Sequence, residues 1–146
     1  MANAVLKAVL VGLVGCVASR GVADDGAQQK RSVHRTEFLA AAVSLAAGRT
    51  ADYERRRDQL DEYVLANYLD YAALRRNLRT LKPNDARAFL DRERGTQLGA
   101  QFRRDWLTEL ARRNDWSGFL DFDVPDVGEG TTLRCQRLRA HIARTR

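Results

Sequence analysis

Proline occurs only twice in this chain, cysteine twice and methionine once, and lysine stands only at Lys7, Lys30 and Lys82. Each scarcity excludes something. With so little proline, long stretches are free to form helix, because an internal proline removes a backbone donor and clashes with the preceding turn. Few runs alternate or are enriched in β-branched residues, so strands have little support. Two cysteines cannot build a disulfide framework. The two histidines, His34 and His141, stand too far apart in sequence to form a zinc-ligand pattern. The chain has no glycine-rich phosphate loop, no serine in a nucleophile elbow and no HExxH helix, and no cofactor is expected.

What is present points to one helical domain. The 146 residues, 45% of them hydrophobic, are enough for a core and exclude wholesale disorder. The formal charge of +6 rests almost wholly on arginine. Acidic residues are interleaved with the basic ones along the expected helices, which describes a solvated polar face rather than a nucleic-acid stripe. Arg55-Arg56-Arg57 resembles a binding patch, but Glu54 and Asp58 flank it, and a solvated helix face accounts for it.

Residues 1–23 read as a signal peptide. Lys7 supplies the positive region, and the apolar run Ala8 to Ala18 is about half the roughly 20 residues that a membrane span needs. Two processing sites compete. Gly21-Val22-Ala23 suits a signal peptidase, whereas Leu13-Val14-Gly15-Cys16 resembles a lipobox, in which residues 1–15 are removed and Cys16 is lipidated. Either implies export, and the second adds a lipid anchor as the chain's one link to a membrane. Cleavage after Ala23 removes two of 25 basic residues and no acidic one, leaving 23 against 19 and a net charge of +4. Residues 24–32 offer only Ala27 as an apolar anchor and are expected to form a flexible leader.

Residues 33–146 read as about seven short helices in antiparallel pairs, an all-α superhelix or solenoid segment. The first runs from Val33 to Ala47 with Phe38, Ala42 and Leu45 on one face and Gly48 as its stop. Thr50 is the expected cap of the second, which carries Tyr53 and Leu60. The third, Leu65 to Leu81, has so broad an apolar stripe, including Tyr68, Leu69 and Tyr71, that it should touch neighbours on two sides. Asn84 is the expected cap of a fourth helix reaching Gly95 through Phe89 and Leu90. Leu98, Phe102, Trp106 and Leu110 recur at helical spacing and define the buried face of the fifth. Asp115 caps a sixth with Trp116, Phe119 and Leu120, so two tryptophans are expected at one buried corner. After a loop holding Pro125, Gly128 and Gly130, Thr131 or Thr132 opens a seventh with Leu133, Leu138 and Ile142. That helix has no evident cover, so the domain reads as incomplete at its C-terminus. Cys135 is either an odd thiol whose partner lies elsewhere or a buried free thiol.

Glu37, Glu54, Glu62, Glu93, Glu109 and Glu129 are the glutamates available as glycosidase-type acids. All but Glu129 sit in charged helical surroundings that keep a carboxylate ionised, whereas a general acid needs a raised pKa. No catalytic residue is therefore assigned.

The segment Tyr63-Val-Leu-Ala-Asn-Tyr68-Leu-Asp-Tyr71, followed by Trp106-Leu-Thr-Glu-Leu110-Ala and Asp115-Trp116, resembles the amino-terminal superhelical domain of soluble lytic murein transglycosylases. The resemblance covers residues 36–146 and includes the order Phe38, Gly48, Tyr53, Phe89-Leu90, Phe119-Leu120 and Cys135, with Val64 standing where the family commonly has proline. It implies a ring of helix pairs that carries, in the intact family, a lysozyme-like domain forming 1,6-anhydromuramoyl ends. The Glu-Ser-aromatic signature of that domain occurs nowhere in this chain. The resemblance thus implies a catalytically silent scaffold in the periplasm, whose partners are peptidoglycan, other envelope proteins or the missing catalytic domain. A stand-alone exported helical protein that binds peptidoglycan or another envelope protein is the alternative.

Overall fold

The computed structural model describes residues 22–124 and 130–145, and residues 1–21, which hold Cys16 and all but the last two positions of the expected signal segment, lie outside them. The described residues form seven α-helices and no strand: α1 (Val22–Ala46), α2 (Thr50–Arg57), α3 (Ala66–Arg76), α4 (Pro83–Arg92), α5 (Gln97–Arg112), α6 (Trp116–Phe122) and α7 (Thr131–Arg144). A 3-10 turn, Asp58–Leu60, extends α2. The expected all-α class is the observed one. No helix of the described residues is long and apolar enough to cross a membrane.

The chain reverses where short sequences force it to. Gly48 adopts φ 73°, and the backbone N–H groups of Gly48 and Arg49 donate to the carbonyls of Leu45 and Ser44, the Schellman pattern that satisfies the last carbonyls of α1. This folds α2 back against α1. Asn114 repeats the device at the end of α5 with φ 57°, and Asp115 N–H donates to Leu110 O at 3.0 Å. Asparagine is among the few non-glycine residues that take this conformation readily. The Asp115 side chain then accepts from Gly118 N at 2.9 Å and starts α6 as expected.

Several boundaries differ from expectation. Residues 24–32, expected as a flexible leader, are helical in the structure, because α1 begins at Val22 and carries through them. That helix is tied down well before Phe38: Lys30 Nζ pairs with Glu62 at 2.6 Å, and His34 meets the Tyr63 ring edge-on at 5.7 Å. Thr50 is the first helical residue of α2 rather than its cap. Asn84 does not cap α4, since Pro83 occupies the first turn and Lys82 precedes the helix in extended conformation. The third helix is shorter at both ends than expected, and Leu78 and Leu81 belong to the turns that follow it.

The apolar residues gather in two clusters. The larger joins α4 to α7 around Phe89, Phe102, Trp106, Leu107, Leu110 and Phe119. The smaller holds α1 and α2 together around Ala41, Tyr53, Leu60, Ala66 and Leu69, with Phe38 and Tyr63 packed against it. Helix α3 faces both: Ala66 and Leu69 lie in the small cluster while Tyr71 and Leu74 pack on the large one. Its broad stripe is explained by that bridging position.

Candidate functional site

Charged side chains on successive helices pair across the helix boundaries. Asp70 on α3 accepts from Arg57 on α2 through both carboxylate oxygens, at 2.7 and 3.0 Å, and from Arg92 on α4 at 3.1 Å. One carboxylate thereby ties three helices together. The two-bond fork to Arg57 is the strong form of such a pair. Its neighbour Tyr71 donates its hydroxyl to Asp105 on α5 at 2.7 Å, and burial together with that carboxylate raises the phenol's pKa. Within the α1/α2 pair, the buried Ser44 hydroxyl donates to Asp52, and Arg56 bridges Asp52 and Glu37, the latter at 2.7 Å. The Ser44 hydrogen bond is the main cause holding Asp52 below the usual carboxylate range, with Arg56 and Arg55 adding to it. Desolvation of Tyr53 pushes its phenol up to about 12, and the nearby Asp70 charge acts in the same direction. Arg76, near the end of α3, donates to the carbonyls of Leu45 and Ala46 and so completes the end of α1.

Two glutamates are buried among the described residues, and both are committed to neighbours. Glu93 accepts from the Thr96 hydroxyl at 3.1 Å, while its backbone carbonyl accepts from the same hydroxyl at 2.9 Å. Glu109 accepts twice from Arg112, at 2.7 and 2.8 Å, and from Arg113 at 2.9 Å. Arg112 above all, and then Arg113, hold the Glu109 carboxyl down to about 2 against its desolvation. A carboxylate so held cannot serve as a proton donor near neutral pH. Glu37 and Glu62 pair with Arg56 and Lys30, Glu54 is exposed, and Glu129 lies outside the described residues. No group of three or more histidine, cysteine, aspartate or glutamate side chains among the described residues is arranged to hold a metal ion.

The Glu109 pair has a consequence for acid stability. A carboxyl depressed in the folded state stabilises the fold fully above its unfolded pKa of about 4.3 and loses that contribution as pH falls through its folded value. Thermal unfolding followed against pH is therefore expected to show stability falling between about pH 4.5 and pH 2, with Asp52 contributing in the same direction. Glu109→Gln should lower stability at neutral pH and flatten part of that acid limb. Parallel pH profiles for the variant and the wild type would contradict the assignment.

The residues singled out in the sequence divide into core and surface. Phe102, Trp106, Leu110 and Phe119 are buried together, while Leu98, Trp116, Leu120 and Tyr71 pack against the same cluster from partly exposed positions. Phe38 belongs to the smaller cluster. Trp116 is thus not the buried tryptophan expected at the corner, because α6 turns its Phe119 and Phe122 inward instead. Each indole meets a different phenylalanine, Trp106 with Phe122 at 5.9 Å and Trp116 with Phe119 at 6.5 Å. Tyr68 is not a packing residue. It is 55% exposed beside exposed Val64 and Leu65, since Ala66 and Leu69 supply the inward face of α3. Cys135 is a free thiol and exposed, which removes the buried-thiol reading. The Asp70 hub has no signal in the sequence, because its partners Arg57 and Arg92 stand on two other helices. Comparison with protein-family models, with curated proteins and with solved structures finds no match.

Proposed function

We propose that this chain is the non-catalytic helical scaffold of a peptidoglycan lytic transglycosylase, acting in the periplasm. One observation carries the reading: most of the residues behind the resemblance, though not Tyr68 or Cys135, are framework residues. Leu69, Asp70 and Tyr71 bind α3 to its neighbours, and Phe89, Phe102, Trp106, Leu110 and Phe119 fill the larger core. The pairing of both buried glutamates supports a structural rather than a catalytic role. In this reading the helix pairs form a segment of a superhelix, and cleavage belongs to a lysozyme-like domain.

Reading the coding sequence past the Arg146 codon tests the proposal. A lysozyme-like frame with a Glu-Ser-aromatic signature is expected there, in phase or after a frameshift, and an unrelated frame would overturn it. The exposed trio Val64, Leu65 and Tyr68 favours a second reading, a stand-alone envelope protein that binds glycan, because sugar rings stack on exposed aromatic faces. Under that reading the purified chain sediments with murein sacculi and Tyr68→Ala abolishes the association. Sedimentation unaffected by Tyr68→Ala would remove this support for it.

A further inference from the structure

Helix α7 presents a second apolar seam, opposite the face that packs on α5 and α6. Its inward residues are Leu133 and Ala140. Cys135, Leu138 and Ile142 lie on the other side at spacings of three and four, the a and d positions of a heptad. All three are exposed, Leu138 by 63% and Ile142 by 48%. The flanking e and g positions hold Arg134, Arg139 and His141, and α7 contains no aspartate or glutamate. No ion pair to Arg134 or Arg139 occurs among the described residues. A single exposed leucine on a protein surface would be unremarkable, but an a/d seam bordered by unpaired charge of one sign specifies a partner.

We propose that the outward face of α7 docks an amphipathic helix of another protein whose apolar seam is flanked by aspartate or glutamate. Charge decides against a second copy of this chain as occupant. Two α7 helices packed seam to seam would bring arginine against arginine at the e and g positions, where like charges oppose pairing. An acidic helix places a carboxylate opposite each guanidinium, and Cys135 becomes covered. The proposal needs from the scaffold reading only that α7 is a structural helix, and it assigns to a separate acidic partner a face that further helices would otherwise compete for. An unrelated frame past Arg146 would sink that reading and leave peptide binding untouched, so the two fail separately.

The test uses the full chain carrying Cys16→Ser, so that Cys135 is its single thiol. The probe is a fluorescent synthetic peptide of about four heptads with leucine at a and d and glutamate at e and g, which repels itself at neutral pH. The expected result is a rise in peptide anisotropy on binding, with alkylation of Cys135 slowed by about tenfold or more at saturation, and no binding of a peptide with lysine at e and g. Arg134→Glu with Arg139→Glu should weaken binding by at least about tenfold. Leu138→Ser with Ile142→Ser should abolish it, and both pairs are exposed, so circular dichroism should report unchanged folding. Equal binding of the two peptides, or normal binding by a folded Leu138/Ile142 variant, would overturn the proposal. So would protection of Cys135 in a dimer of the chain alone, or protection by murein sacculi or DNA but not by the acidic peptide.

Discussion

Trp106→Ala is expected to destabilise the fold by about 3–5 kcal/mol, the range for truncating a fully buried tryptophan. Trp106 is 0% exposed, stands mid-way along α5 and meets Phe122 edge-on, with the Arg113 guanidinium 5.2 Å from the ring centroid. Its loss would leave a void where α5 and α6 pack and would remove the surface on which Arg113 lies. Against a typical total of about 5–15 kcal/mol, such a loss leaves little stability. The indole N–H finds no protein acceptor among the described residues, so the ring's bulk rather than a hydrogen bond accounts for the effect. Trp106→Phe keeps most of that bulk and relieves the unpaired donor, and should cost clearly less than the alanine variant. Trp116→Ala should also cost less, since Trp116 is only partly buried. Urea unfolding followed by far-ultraviolet circular dichroism measures all three. Equal losses for Trp106→Ala and Trp116→Ala would contradict the placement of the core.

The second large effect is expected at Gly99, in the first turn of α5. A methyl group there would sit far inside contact distance of the backbone carbonyl oxygen of Glu93, which belongs to main chain that cannot swing aside. The turn is also pinned by its cap, because the Thr96 hydroxyl accepts from Gly99 N at 3.0 Å while donating to Glu93. Gly99→Ala should therefore cost about 2–3 kcal/mol through overpacking, despite a helix preference for alanine worth up to about 1 kcal/mol. Gly26→Ala is the matched control: Gly26 lies in α1 with nothing within 4 Å of the added carbon, so the substitution should stabilise slightly. A raised urea midpoint for both variants would show that α4 and α5 do not approach as described.

The local signals in the sequence were reliable where one residue decides the geometry. Gly48 and Asp115 end and begin helices by conformation and side-chain reach alone, and both do so in the structure. Asn114 ends α5 through the same left-handed conformation and is legible on the same grounds. Burial was legible for the Phe102, Trp106 and Leu110 face because three residues at helical spacing agree. It was not legible for Tyr68, since α3 is apolar nearly all round and the choice of inward face depends on the helices beside it. The helical course of residues 24–32 was hidden for a related reason: Lys30 and His34 have their partners, Glu62 and Tyr63, in the turn beyond α2. The Asp70 hub likewise joins residues from three helices, and only the folded arrangement brings Arg57 and Arg92 to one carboxylate. These gaps have a common cause, because charge partners and the choice of helix face are tertiary properties.

The proposed scaffold role requires that the buried carboxylates be structural. Incubating purified chain, shown by circular dichroism to be folded, with murein sacculi and analysing the soluble fraction by mass spectrometry tests it most directly. The account predicts no release of 1,6-anhydromuropeptides at any pH from about 4 to 8, because Glu109 remains an arginine-bound carboxylate across that range. Release of anhydromuropeptides that disappears in Glu109→Gln or Glu93→Gln would contradict it.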